Sequence, residues 1–189
     1  MRRKTLDTLI SSTGALLAVV LLIAGGLLTW AASFANGTVT DQLSAQRITM
    51  PQGQAIDSLQ NEADKAELRS FAGQPLDNGP KAKAYADHYI LAHMTKSSGG
   101  KTYSEVSSAQ SAAAKDPAKA DEAKKLLDLK QTLFQGDALR SMLLTAYAFG
   151  TLGTIAQIAS IVAYVAGALL LVLAILGFRH AGKAGDALV

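Results

Sequence analysis

Apolar positions fall into two long uncharged blocks with an amphipathic region between them. No charged residue lies between Asp7 and Asp41, and none between Arg140 and Arg179. A helix of roughly 20 apolar residues crosses a bilayer, so each block is long enough to do so. The pattern predicts an all-α chain, with two transmembrane helices flanking a small helical extracytoplasmic domain. The last helix of that domain is expected to be continuous, or nearly so, with the second span. The predicted divisions are a tail over 1–8, a first span over 9–33, the helical domain over 34–141, an apolar helix at or above the outer interface over 142–157, a second span over 158–178 and a second tail over 179–189.

The two blocks are not equivalent. The first apolar run, Leu9 to Phe34, is about 26 residues. That exceeds the 7–15 of a secretory signal, so it reads as a retained anchor despite the basic start and the Ser33-Phe34-Ala35 pattern. Asn36-Gly37-Thr38 reads as a turn after it, and Asp41 to Met50 as a connector. The second block, Ser141 to Phe178, would form about 57 Å of helix, nearly twice the ~30 Å hydrocarbon core. Some sixteen apolar residues, Met142 to Gln157, therefore need a cover outside the membrane, from the same chain or from another.

The middle region carries helix signals. Ile56, Leu59, Ala63, Ala66 and Phe71 recur at helical spacing and predict one helix over 54–72, with Gly73 as its C-cap. Pro80 suits the first turn of a second helix running to Lys96. Thr102 with Glu105 forms a capping box for a short helix to about Ala114. Asp116-Pro117 starts the next helix. Gly136-Asp137 reads as a kink or a stop and restart within it.

Charge sharpens the topology. Arg2, Arg3, Lys4, Arg179 and Lys183 lie on the tails against Asp7 and Asp186, which accounts for the whole net charge of +3. Basic flanks stay on the cytoplasmic side, so both termini are expected in the cytoplasm and the neutral middle outside, in the plasma membrane. The charge is too confined to the tails to form a nucleic-acid surface. The chain has no cysteine, hence no disulfide and no thiolate chemistry.

Candidate chemistry is sparse. His88 and His93 are five residues apart and diverge by about 140° on one helix, unlike the i, i+4 pair of zinc helices. Gly99-Gly100-Lys101-Thr102 has the end of a phosphate loop without its first glycine. No catalytic residue, metal ligand or cofactor is therefore expected. Two surfaces stand out instead. Ala156, Ala159, Ser160, Ala163 and Gly167 make a small-residue ridge suited to close helix packing, within the chain or between copies. Phe71, Tyr85, Tyr89, Phe134, Tyr147 and Phe149 are candidates for an apolar-ligand or partner surface.

The run Lys81-Ala-Lys-Ala-Tyr85-Ala-Asp-His, then Gly99-Gly-Lys-Thr-Tyr-Ser-Glu-Val106, Gln131-Thr-Leu-Phe134 and Leu144-Thr-Ala-Tyr-Ala-Phe149 resembles an uncharacterised family of actinobacterial two-span membrane proteins. Its members often carry the label of aromatic ring-opening dioxygenase. That label implies an iron site with histidine and carboxylate ligands, which the spacing of His88 and His93 does not supply. The resemblance implies a host group and a topology rather than an activity. The expected function is that of a non-enzymatic accessory subunit or self-associating scaffold of the cell envelope. The expected partners are membrane lipid, further copies of the chain or a larger membrane complex, and not nucleic acid. A lipid- or apolar-ligand-binding module and a homo-oligomeric channel are the alternatives.

Overall fold

The computed structural model describes residues 2–183, and no strand occurs among them. The helices are α1 (Arg3–Ala45), α2 (Gln54–Asp57), α3 (Glu62–Arg69), α4 (Gly79–Ala84), a π-helical segment (Tyr85–Ile90), α5 (Leu91–Ser98), α6 (Tyr103–Ala113), a 3₁₀ turn (Pro117–Lys119) and α7 (Ala120–Lys183). Both α1 and α7 contain stretches long and apolar enough to cross a membrane. The chain forms two compact units. One comprises residues 37–151, and the other pairs the N-terminal residues to Asn36 with those from Leu152 onward. Part of the second tail, including Asp186, lies outside the described residues.

The terminal unit is an antiparallel helix pair built on small residues. Ser11, Ala18, Gly25 and Ala32 are buried on α1, and Gly153, Ser160, Gly167, Ala174 and Ala181 on α7, each series at intervals of seven. A seven-residue repeat underwinds two helices into a left-handed seam. Here the seam residues are small, so the backbones come close. Leu22 and the Ala18 carbonyl lie within 3.3 Å of where a Cβ on Gly167 would stand. A Cβ on Gly25 would meet the Tyr164 ring at 2.9 Å, and one on Gly177 would overlap Ser11. The two buried serines donate to carbonyls of their own helices, Ser11 to Asp7 at 2.7 Å and Ser160 to Gln157 at 2.7 Å. Both serine hydroxyl protons are thus paired within the seam.

The helical unit over 37–151 has its main core where Val39 and Leu43 of α1 and Leu143 of α7 meet Met50, Ile56, Leu68, Leu76, Ala82 and Ala86. Met94, Val106 and Leu133 form a second cluster, with Ile90, Leu126 and Leu129 at its margin. Loops are tied by one antiparallel bridge between Thr49 and Pro75, flanked by Met50 N–H to Gln74 O at 2.8 Å and Leu76 N–H to Ile48 O at 2.9 Å.

Several local expectations need correction. The helix expected over 54–72 is two short helices. Asn61 accepts from Ala63 N–H at 2.9 Å and caps α3 afresh, because an asparagine side chain competes with the helix for backbone donors. Gly73 does not cap that helix; at φ 71° its N–H turns to Met50 O at 3.3 Å. Asn36-Gly37-Thr38 is not a turn, since α1 runs through it to Ala45. Gly136 does not stop α7, which runs through it from Ala120 to Lys183. Its missing side chain makes room for Met94, which a Cβ there would overlap.

Other signals hold. Thr102 and Glu105 form the reciprocal capping box, and Asp116 caps the turn begun by Pro117. The second helix begins at Gly79 behind an Asn78 cap and ends at Gly99 in the left-handed region, φ 61°. The Met142 to Gln157 stretch is covered on one face within the chain. Leu143 joins the main core with Leu144 and Ala146 against it, whereas Met142 is 68% exposed.

Two glycines separate close approach from helix propensity. A Cβ on Gly79 would stand 3.2 Å from Tyr147 Cα, whereas one on Gly37 meets nothing within 4 Å. Gly79→Ala is expected to destabilise the helical unit by about 1–3 kcal/mol through overpacking against backbone. Gly37→Ala is expected to stabilise it by about 0.5–1 kcal/mol by removing a flexible residue from a helix interior. Chemical denaturation followed by circular dichroism tests both.

Candidate functional site

A cluster of paired charges in the helical unit lies where the π-helical segment meets α7. In Tyr85–Ile90 the ladder is widened by one residue, and Leu91 N–H reaches Ala86 O. π segments frequently mark functional positions. Arg140 of α7 reads this widened turn, its Nε–H donating to Ala86 O at 3.1 Å and a terminal nitrogen to Asp87 Oδ1 at 3.1 Å. Lys83, one turn earlier, donates to Asp87 Oδ2 at 2.5 Å. Asp137 adds a longer ion pair to Arg140 at 3.9 Å. One carboxylate thus takes two cations from two helices.

Burial alone would raise the Asp87 carboxyl pKa. Hydrogen bonds from Lys83 and then Arg140 outweigh that and hold it below its ordinary 3.8. The same contact holds the Lys83 ammonium above its ordinary 10.5. Both Asp87 and Arg140 are about four-fifths buried, at 22% and 21% exposure. The pair is dry enough for loss of one partner to strand the other.

A cleft of about 630 Å³ opens beside this hub, with Gln60, Asn61, Asp64, Asp87, His93 and Lys96 among its lining residues. Asp64 receives His88 Nδ1 at 2.8 Å. His93 Nδ1 lies 2.8 Å from Tyr89 O, and since a carbonyl only accepts, that nitrogen carries the proton. The two histidines therefore have different partners on different elements, and Asp87 serves neither. Among the described residues no group of three or more histidine, aspartate or glutamate side chains is placed to hold a metal ion. The polar cleft has donors and acceptors for a small polar solute, with no hydroxyl nucleophile paired to a base in it.

The six aromatic candidates are not gathered into one site. Phe71, Tyr85 and Tyr89 pack against the main core, and the Tyr85 and Tyr89 rings meet tilted at 37° with centroids 5.1 Å apart. Burial pushes the Tyr85 phenol above its ordinary 10.0. Tyr147 lies under the Lys83 ammonium at 5.8 Å. Phe134 touches Tyr103 at 6.2 Å and is 57% exposed, and Phe149 is 55% exposed. Of the small-residue ridge, Ser160, Ala163 and Gly167 are buried, while Ala156 and Ala159 are half-buried. The i, i+4 spacing of Lys83 and Asp87 is a local signal that was not picked out from the sequence; Arg140, 53 residues from Asp87, carries no local signal. Comparison with protein-family models, curated proteins and solved structures finds no match to this chain.

Arg140→Gln is expected to lower the stability of the helical unit by about 2 kcal/mol, because it leaves Asp87 and the Ala86 carbonyl short of donors. The Asp87 contribution has a defined sign in pH. Its native pKa is depressed, so the stabilisation is present above the ordinary 3.8 and is lost as pH falls through the native value. Asp87→Asn should be less stable than wild type at pH 7 and should lose less on acidification. Thermal unfolding from pH 7 to pH 2 tests this, and parallel curves for the two proteins would contradict it.

Proposed function

We propose that this protein is a non-enzymatic integral membrane protein of the cell envelope, acting as an accessory subunit or self-associating scaffold of a membrane complex. The observation that supports it best is the division of surfaces in the α1–α7 pair. Small residues face inward, and the large aliphatics face out: Leu16 is 65% exposed, Leu27 64%, Val162 61%, Leu169 61% and Leu173 62%. A continuous apolar patch of that extent needs lipid or protein over it. With no Asp, Glu, Lys, Arg or His between Asp7 and Asp41 or between Arg140 and Arg179, a path for ions within one copy has little to be built from. The basic tails favour cytoplasmic termini, with the helical unit outside.

The scaffold role draws on a second apolar face, on α7 within the helical unit. Leu127, Phe134, Met142 and Phe149 recur at intervals of seven or eight, and each is at least half exposed. Such a stripe on one helix face is what a partner helix takes up.

The lack of native cysteine makes the topology directly readable. Ser111→Cys is expected to react with a membrane-impermeant maleimide in intact cells, and Gly182→Cys only after permeabilisation. The reverse pattern would invert the topology. Purified in mild detergent, the protein is expected as a particle of several copies or with a second chain. A strict 19.7 kDa monomer without copurifying protein would rule out the scaffold reading.

A further inference from the structure

Resting on the membrane-spanning reading above, we propose that the first turns of α1 form a binding site for an anionic phospholipid with a hydroxylated headgroup, Lys4 taking the phosphate and a threonine–serine ridge taking the headgroup hydroxyls.

Charge in the terminal unit is confined to one end. The antiparallel pairing brings the start of α1 beside the end of α7, where His180 Nε2 lies 3.7 Å from Asp7 Oδ2. Arg3, Lys4, Arg179 and Lys183 stand at that end with Asp7 as the one carboxylate among the described residues there, and no charge follows on the described residues from Thr8 to Asn36 or from Leu152 to Phe178. An anionic headgroup at this level meets an excess of cations with the hydrocarbon layer directly beyond it.

A shallow groove of about 580 Å³ runs down the outer face of α1 from Lys4, lined by Thr5, Thr8, Ser12 and Thr13 with Leu9 and Leu16. Leu9 is 59% exposed and Leu16 65%, which suits an acyl chain below the headgroup. The hydroxyls add selectivity. Thr8 donates to Lys4 O at 2.8 Å and Thr13 to Leu9 O at 3.0 Å. Their protons are used within the helix, so they present lone pairs outward. Lone pairs repel a bare phosphate oxygen and accept from a hydroxyl. Lys4 and the ridge together therefore favour a lipid such as phosphatidylglycerol, which carries the phosphate and the hydroxyls on one headgroup.

The test uses the full-length protein in mild detergent, with lipid binding read by native mass spectrometry. Three lipids of equal acyl chains are compared: phosphatidylglycerol, phosphatidylmethanol of the same charge without headgroup hydroxyls, and zwitterionic phosphatidylcholine. Phosphatidylglycerol is expected to bind about fivefold or more tightly than phosphatidylcholine, with Lys4→Gln removing about fivefold. The triple variant Thr8→Val, Ser12→Ala, Thr13→Val should bring phosphatidylglycerol level with phosphatidylmethanol while both stay ahead of phosphatidylcholine. All four positions are exposed, so these variants keep the fold. Equal binding of the three lipids, or no effect of Lys4→Gln, would overturn the site. Displacement by millimolar glycerol 1-phosphate would reassign it to a soluble phosphate. Carbonate extraction of cell membranes separates the two levels: release of the protein refutes the membrane reading itself, whereas retention without lipid preference refutes only the site.

Discussion

Access to the backbone of α7 is the constraint on which the other contacts depend. Five glycines along it each admit a close neighbour, and at all but Gly150 a Cβ would crowd it. Gly136 takes Met94, Gly150 takes Gly79, Gly153 takes Asn36, Gly167 takes Leu22 and Gly177 takes Ser11. Glycine within a helix costs about 0.5–1 kcal/mol against alanine. Five such positions in one helix make sense only where close approach returns more than that. It does so through dispersion contacts that larger side chains would hold apart. In the terminal unit the return comes from a seam with no large side chain at its seven-residue positions. In the helical unit it comes from single insertions, a methionine at one level and the start of α4 at another.

Charge does a different job. The Lys83–Asp87–Arg140 group is too desolvated to resemble a surface pair, which is worth little, and too exposed to behave as a fully buried one. Its distinctive feature is that Arg140 also binds a backbone carbonyl inside a π turn. Widening the helix by one residue moves every later side chain round the axis. A guanidinium that satisfies both Ala86 O and Asp87 therefore selects the register in which Tyr89, Met94 and the rest of α5 meet α7. Electrostatics here fixes which packing is adopted, and apolar burial supplies most of the stability.

The parts of the fold legible in the sequence were those with local causes. The two uncharged blocks follow from composition along each stretch, while the Thr102–Glu105 box and the Asp116-Pro117 start arise within a few residues; the structure has them as two long apolar helices, a capping box and a capped turn. The missed features have distant causes. Asn36-Gly37 carries a turn signal in isolation, but Asn36 packs against Gly153 and the helix continues. Gly136 looks like a breaker until Met94 is placed in its gap. The π segment has no signature in Tyr85–Ile90 itself, since its partner lies on α7. The break at Ser58–Asn61 is the exception. Its cause is local, but the helical period of Ile56, Leu59 and Ala63 masked the asparagine cap. For the charged hub the same division holds: the pair one turn apart has a local signal and the guanidinium has none.

The small-residue ridge illustrates what geometry adds to composition. From the sequence, Ala159, Ala163 and Gly167 at intervals of four form the obvious line. The buried line is Gly153, Ser160, Gly167, Ala174 and Ala181 at intervals of seven, matched by Ser11, Ala18, Gly25 and Ala32 on α1. A four-residue line crosses the helix face, whereas a seven-residue line runs along it and can face one partner over many turns. Because α1 occupies that line, the closest-packing surface of α7 is already filled within the chain. Any association between copies would have to use larger side chains, either the outward aliphatics of the helix pair or the Leu127, Phe134, Met142 and Phe149 stripe. The two differ in what they displace. On the membrane-spanning reading proposed above, the first would exchange lipid for protein, with little hydrophobic gain. The second removes apolar surface from water wherever the helical unit lies outside the bilayer, at about 25 cal/mol per Å². The stripe is therefore where a partner would gain most from the hydrophobic effect.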